Sequence, residues 1–420
     1  MIPLAEQFEP KIASRFETMR SLLTHNFLRR STAAILVLLG IFLSANTSLA
    51  QEPAEISDAE ARYNSALLHA RKLAKECRTI SIRFFDGSLA ESYKWKEKWP
   101  GVVKELSEHK VILEQATIDW FLEHENPPLP LIEIASGVSS ELYDAGKMQL
   151  AYQVLKKIRR FYPKKDIMLD RRFALTGIKS NHFDFCVEFI KNPLAKEAVD
   201  KLEEQLDKNL FGYCRLFAQN WVQEAEIRQK EAEADDLPRV KLQLDSGELI
   251  IELFENEAPE TVANFIRLVE DGFYDGCVFH PVVKDIVAQS GQYHRTRSIG
   301  LDYVIKNESR LPNSRRHFVG SLSMASTKKG ESTPSTFAVS MLPSPELDWD
   351  GTSNDEVSQT VFGRVVTGME NIMTLPVTME IDPETNEQKH NRSVNPGEIQ
   401  KATVIRKRDH QYKFEKITPQ

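Results

Sequence analysis

The chain has 420 residues, 54 Lys plus Arg against 61 Asp plus Glu, a formal charge of -7 and 41% apolar residues. That balance excludes collagen-like, coiled-coil and disordered classes, and it offers neither a counterion-release drive onto nucleic acid nor a polybasic face for anionic lipid. The length exceeds what one hydrophobic core serves, so two domains plus extensions are expected.

Residues 1–50 read as a targeting segment. Arg29 and Arg30 precede an apolar run from Ala33 to Leu43, and Ser48-Leu49-Ala50 places small residues where a signal peptidase cuts. The run is short for a bilayer span, so export with cleavage after Ala50 is expected, to a periplasm or the extracellular space. A retained anchor over residues 33–44 is the alternative, and membrane contact is expected only in that case. A buried core helix is the third reading. A start at Met19 gives the leader an ordinary length, and the flanks of Arg29-Arg30 match a twin-arginine signal loosely. Beyond Ala50 lie Cys77, Cys186, Cys214 and Cys277, none at CxxC spacing, so they read as buried thiols or as one disulfide within the first domain.

Residues 51–235 carry mainly helical periodicity and form the expected all-α domain. Tyr63, Leu67, Ala70, Leu73 and Ala74 make one apolar stripe. Leu150, Ala151, Val154, Leu155, Ile158 and Tyr162 make a second, and Val199, Leu202, Leu206 and Leu210 a third. Thr79 to Phe85 reads as a strand, and the cluster Pro127, Pro128, Pro130 as a loop. Trp95, Trp99 and Trp120 are expected in the core of this domain. The helical stretches ending in Tyr162-Pro163 and Asn192-Pro193 resemble tetratricopeptide hairpins at a shorter spacing. The segment is therefore either a plain bundle or a degenerate repeat with a groove for a protein partner.

The charged run from Glu224 to Asp236 reads as a solvated helix end, and residues 236–238 as a linker, because the apolar period changes there. Val240 to Leu244 and Leu249 to Leu253 then form a hairpin about Asp245-Ser-Gly247. Pro259 opens a helix with Val262, Phe265, Ile266 and Val269 as its buried stripe, and Gly272 ends it. Short strand-like runs follow at Val278–Val283, Phe318–Met324, Thr336–Val339, Val361–Val366 and Ala402–Ile405, the pattern of an antiparallel barrel or sandwich.

Seven blocks in order carry a family likeness: Gly247–Phe254, Ala258–Phe265, Gly272–Gly276, Phe279-His280, Gln289–Gly291, Gly320–Ala325 and Val361–Val365. Residues 239–411 resemble the cyclophilins, the peptidyl-prolyl cis-trans isomerases (rotamases) built as a closed eight-stranded β-barrel capped by two helices. Residues 412–420 are a C-terminal tail. The resemblance implies a protein-folding activity on proline-containing peptides or unfolded clients, with no cofactor and no metal. Rotating an X-Pro bond costs about 18–20 kcal/mol because the twisted amide loses conjugation. An apolar pocket for the proline ring and a donor aimed at the twisted amide lower that barrier.

Carried over position by position, the resemblance places Pro281 where the family has its catalytic arginine. Proline has no side-chain donor and no backbone N–H. The substrate-binding positions fall on Ile286, Val287, Gln289, Ala325, Thr336, Phe337, Ala338 and Gln359. Gln289 and Ala325 keep the family residue, Ala338 replaces the phenylalanine of the pocket floor, and Gln359 stands for a histidine after an insertion at 352–358. The loop tryptophan has its loose counterpart at Leu347 or Asp348, beside Trp349. Loss of one aimed donor commonly costs about 10² to 10³ in rate, so weak or absent isomerase activity is expected. Arg295, Arg297, Arg315 and Arg316 are candidates to replace it, and otherwise read as solvated charge.

Asp348, Asp350, Asn354, Asp355 and Glu356 form an oxygen-rich loop without calcium-loop spacing. His280 is expected to pack within the barrel, and His294 and His317 read as isolated. Two functions compete: a residual isomerase of the cell envelope, and a non-catalytic module or scaffold that holds a proline peptide or protein partner.

Overall fold

The computed structural model describes residues 57–86, 89–161, 167–183, 214–328, 330–351, 357–381, 388–390 and 395–418. The targeting segment, Cys186, Tyr162-Pro163, Asn192-Pro193, the stripe Val199–Leu210 and residues 354–356 lie outside them, as do the side chains of Ala74, Cys77, Trp95, Trp99 and Cys214. The chain forms two compact units, Met1–Ser140 and Glu141–Gln420. No helix among the described residues is long and apolar enough to cross a membrane.

In the first unit α1 (Asp58–Asp86) and α2 (Leu89–Glu123) lie antiparallel, since the start of α1 meets the end of α2 through Arg62 and Asp119. The stripe of Tyr63, Ala70 and Leu73 is buried, and Tyr63 packs on Trp120 with ring centres 4.6 Å apart. Thr79 to Phe85 is helical, not a strand. β preference is a weak, context-dependent term, whereas extending an established helix adds one hydrogen bond per residue fixed. α3 (Leu129–Asp144) takes Pro130 into its first turn, where its missing N–H has no helical partner to lose, so only Pro127 and Pro128 belong to the loop.

The second unit continues with α4 (Met148–Phe161), α5 (Ile167–Lys179) and α6 (Cys214–Ala234). Tyr152 joins the expected stripe of α4 and stacks on Phe173. With Leu155, Ile178 and Phe183 these residues form a core that includes Phe318 and Leu342 from the sheet region.

The sheet is built from β1 (Arg239–Leu244), β2 (Gly247–Leu253), β3 (Val282–Val283), β4 (Val287–Ser290), β5 (Ile305–Lys306), β6 (Ser321–Lys328), β7 (Glu331–Ser340), β8 (Thr360–Thr367), β9 (Met379–Ile381), β10 (Gln388–His390) and β11 (Ile399–Arg406). Its order is β10-β9-β3-β4-β7-β6-β8-β2-β1-β11, with β5 on β7. The result is a cyclophilin-like curled sheet, a half-barrel rather than an uninterrupted ring of ladders. Its β11 end approaches the segment before β3, where Gly276 and Phe279 donate to the carbonyls of Ile399 and Gly397. The helices α7 (Pro259–Glu270) and α8 (Met369–Met373) accompany it. Alternation sends Val240, Leu242 and Leu244 inward. Phe265 of α7 meets Tyr274, Phe337 and Phe362 with ring centres 5.1–5.7 Å apart. The first turn of α7 has no local side-chain cap. Instead Glu308, from 47 residues away, accepts the Thr261 N–H and hydroxyl and the Glu260 N–H.

The charged run before β1 is not simply solvated. Arg315 donates two bonds to Glu224, at 2.9 and 2.7 Å, and one to Glu231 at 2.6 Å, and its guanidinium lies 4.0 Å from the centre of the Phe254 ring. Arg364 bridges Glu231 to Glu252, Arg239 bridges Glu252 to Asp235, and Arg406 ends the series on Asp235. The Arg315 side chain is 2% exposed. Burial works to raise the Glu224 carboxyl's pKa, but the Arg315 and Arg228 guanidinia outweigh it and leave the pKa below its ordinary value. Glu257 is the opposite case: burial raises its pKa, Arg315 opposes this at 3.9 Å, and Glu231 and Glu224 add to the rise.

Both effects can be measured. Arg315→Met leaves Glu224 and Glu231 without their shared guanidinium and should cost about 3–5 kcal/mol in urea unfolding, whereas a loss under ~1 kcal/mol would mean the pairs behave as solvent-screened ones. Because the folded-state pKa of Glu257 lies above its ordinary value, its charge detracts from stability at neutral pH and is indifferent in acid. Glu257→Gln should therefore raise the urea midpoint at pH 7, and the gain should shrink toward zero as pH falls below the ordinary glutamate range. A midpoint unchanged at both ends, or lowered at pH 7, would contradict that sign.

Candidate functional site

β4, β7 and β6 place the sequence-derived positions by their pairing. Gln289 lies opposite Ala338, and Ser323 lies opposite Ala338 from the other side. Directly opposed residues share a sheet face, so Gln289, Ala338 and Ser323 form one row. Val287 pairs with Ser340 one step along the same face, and Thr336 is two residues from Ala338 on that face. Gln359, just before β8, joins through its side chain: the Ser323 hydroxyl donates to Gln359 Oε1 at 2.9 Å. Gln289 Nε2 donates to Gln292 Oε1 at 3.2 Å. Ser323, Thr336 and Ala338 are buried, while Ile286, Val287, Gln289, Ala325 and Gln359 are half-buried.

Phe337 belongs to the other face. It opposes Ser290 and Met324, is wholly buried, and packs edge-on to Phe265, Tyr274 and Phe279. The structure thus brings Val287, Gln289, Thr336, Ala338 and Gln359 to one face and leaves Phe337 in the core. Ala325 falls in the irregular stretch of β6 between Met324 and Ser326.

Pro281 sits beside Gln289. Its carbonyl accepts the Gln289 N–H at 2.9 Å, and the His280 N–H donates to the Gln289 carbonyl at 2.8 Å. His280 is half-buried with its ring 5.2 Å from Tyr293. All four candidate arginines are engaged elsewhere. Arg295 pairs with Glu398 and donates to Asn395, Arg297 donates to the Phe273 carbonyl, Arg315 lies in the charge chain, and Arg316 pairs with Asp348 at 3.6 Å. Arg315, expected on the surface, is buried because three carboxylates surround it.

His317 is not isolated. Its ring is buried, and its Nδ1 and backbone N–H both meet Asp348 Oδ1, at 2.7 and 2.9 Å. Asp348 thus holds a histidine from 31 residues upstream, and Trp349 lies under the Arg310 guanidinium at 4.9 Å. No spacing signal marks either contact. His294 orders its own loop, with Nε2 on the Asp275 carbonyl and Nδ1 facing the Thr296 and Arg297 amides. Cys277 is a buried free thiol whose pKa burial pushes up to about 11, which makes it a poor nucleophile. Among the described residues no group of three or more His, Cys, Asp or Glu is placed to hold a metal ion.

Residues 239–404 match the family described as cyclophilin type peptidyl-prolyl cis-trans isomerase/CLD. A peptidyl-prolyl cis-trans isomerase of Synechococcus elongatus is 35% identical over 130 residues, 31% of this chain and 87% of the relative. Peptidyl-prolyl cis-trans isomerase B of Bacillus subtilis is 39% identical over 126 residues, 30% of this chain and 81% of the relative. The chain belongs to the cyclophilin family. A crystal structure of a cyclophilin type isomerase of Cryptosporidium parvum aligns at 23% identity and a TM-score of 0.29, covering 40% of this chain and 98% of that one.

In this cyclophilin the face formed by β4, β7 and β6 offers amide and hydroxyl groups over a small-residue floor, and none of its sequence-derived positions ionises. It has the chemistry to hold an extended chain by neutral hydrogen bonds. Ser323→Ala should cost about 1 kcal/mol and free the Gln359 side chain to sample other rotamers, read as a move of its side-chain amide signals toward those of a solvent-exposed glutamine. An unchanged Gln359 signal would mean that Ser323 does not orient it.

Proposed function

We propose that this cyclophilin is an exported protein of the cell envelope whose barrel face binds proline-containing or unfolded segments and isomerises them weakly or not at all. The observation that carries the reading is Pro281. Its one polar group, the carbonyl, already accepts the Gln289 N–H, and the residue contributes no donor where a twisted amide needs one.

Three further features support the reading. The four arginines that stood as substitutes are each held by other partners. Ala338 puts a methyl group where the family resemblance implies a ring, which removes much of the contact a proline ring would make. The groups that remain on the face, the Gln289 and Gln359 amides and the Thr336 hydroxyl, suit a peptide backbone, whose N–H and C=O they match in kind. Export rests on the sequence of residues 1–50 alone, and a partner bound by the helices is the form this function takes if the barrel face holds nothing.

The test is a cis/trans relaxation assay on a proline tetrapeptide, with the chain starting at Gln51, Pro281→Arg, and the Pro281→Arg, Ala338→Phe double variant. The unaltered protein should accelerate relaxation at least about 10²-fold less than the double variant, because donor and ring contact act on separate parts of the barrier. Chemical-shift changes at Gln289 and Ala338 on adding the same peptide should report binding without turnover. Fast relaxation by the unaltered protein would overturn the reading.

A further inference from the structure

The turn between β3 and β4, residues 284–286, is a three-residue hairpin loop whose left-handed position is Asp285, at φ +61°. Glycine is the residue that takes this backbone without a Cβ conflict, and a turn with positive φ at its third residue, as in 283–286, favours it there, with Asn and Asp the side chains that tolerate it. Asp285 is held by a group from outside the barrel. Lys179, the last residue of α5, places Nζ 2.5 Å from Asp285 Oδ1, and the same Nζ donates to the Tyr143 hydroxyl at 2.7 Å. The lysine side chain is 0% exposed, and its ammonium lies 4.6 Å from the centre of the Tyr143 ring. Burial lowers the pKa of Lys179, and Asp285 works against that. A lysine this buried needs its carboxylate, and the carboxylate sits on a turn that lacks its glycine.

That turn leads directly into the candidate face. Ile286 and Val287 follow Asp285, the Ile286 N–H donates to the Val283 carbonyl at 3.1 Å, and the Ile286 carbonyl accepts the Met341 N–H at 2.8 Å. The contact is one of a set. The three non-glycine residues with left-handed backbone among the described residues are Asn181, Asp235 and Asp285. Asn181 brackets Val319, accepting its N–H at 3.1 Å and donating to its carbonyl at 2.9 Å, while Asp235 takes Arg239 and Arg406. Each lies where a helix of the second unit meets the sheet region, with its side chain bonded across.

We propose that Lys179 is a positioning residue for the barrel face: by holding the Asp285 turn, α5 sets the place of Ile286 and Val287, so the affinity of the face for peptide is determined in part by a helix outside the barrel. This rests on the reading that the face binds peptide. Its structural half stands apart from that reading and is tested separately.

The experiment uses the full-length chain, with Lys179→Met, Asp285→Gly and the double variant. It measures amide hydrogen exchange at Ile286 and Met341, and the dissociation constant of an Ala-Ala-Pro-Ala peptide. Lys179→Met should speed exchange at both amides and weaken the peptide by about five- to tenfold. The double variant should return both readouts to within about twofold of the unaltered protein, since glycine takes the left-handed backbone without help. A lysine that served stability alone would leave the peptide constant unmoved in the single variant and gain nothing from the glycine. If Lys179→Met does not fold, Tyr143→Phe, which removes one of the two Nζ bonds, should move exchange at Ile286 and Met341 the same way by a smaller factor. Unchanged exchange at those amides in a folded variant, or no rescue by glycine, overturns the proposal. If the unaltered protein binds no peptide while exchange behaves as expected, the reading of the face fails and the positioning of the turn stands.

Discussion

The second unit depends on an alternating series of charges running from Glu224 through Arg315, Glu231, Arg364, Glu252 and Arg239 to Asp235. Buried charges are tolerated only when each meets its opposite, and the requirement is geometric as well as energetic. An apolar helix face can slide or rotate on a sheet at small cost, whereas a guanidinium with two bonds to one carboxylate has one working orientation. α6 contributes Glu224 and Glu231, two turns apart on one helix face, and the sheet region contributes the arginines from 315 and from β8. The series therefore fixes how far along and in which rotation α6 lies. Phe254, beneath Arg315 at 4.0 Å, gives the guanidinium an apolar floor that a lysine could not use as well.

The sequence made the sheet legible because its signal is local. Val240, Leu242 and Leu244 alternate, Pro259 and the stripe through Phe265 announce α7, and the structure follows both. The candidate face was legible in part. Gln289 and Ala338 could be placed from the resemblance, and pairing set them side by side, but Phe337 was grouped with them although the pleat turns it the other way. What could not be read were contacts between residues remote along the chain. Glu308 reaches the start of α7, His317 meets Asp348, and Lys179 meets Asp285 across more than a hundred residues. None leaves a period or a spacing. The charge run of Glu224 to Asp236 misled for a related reason: composition records that carboxylates are present, while their partners lie on β1, β8 and β11 and before β6.

The helices of this unit meet the sheet region in two chemically different ways. Around Tyr152, Phe173, Phe183, Phe318 and Leu342 the contact is aromatic and apolar. Along α6 it is ionic, and at Asn181 and Asp285 it is made by single polar side chains on left-handed backbone. Apolar packing supplies area without specifying orientation, while the polar contacts specify orientation at points. The combination holds loops that a barrel standing alone would have to order with its own residues. The turn at Asp285 is one such place, since its carboxylate is held by Lys179 of a helix outside the family match.

The alternation of β7 separates the core of this cyclophilin from the face that carries Gln289 and Ala338. Phe337 and Ala338 are neighbours in sequence and face opposite ways, the first into the aromatic core with Phe265, Tyr274 and Phe279, the second toward Gln289 and Ser323. Shrinking Phe337 would open a cavity in that core, at a cost of about 3–5 kcal/mol. A change of size at position 338 alters the row of Gln289 and Ser323 and leaves that aromatic cluster untouched. Pro281 obeys the same separation, because the pairing with Gln289 runs through its carbonyl and does not need the side chain. The period of two along a strand thus lets the residues that hold the barrel together and those on the opposite face change independently. A sheet read only by its core would look the same whether or not the face could catalyse.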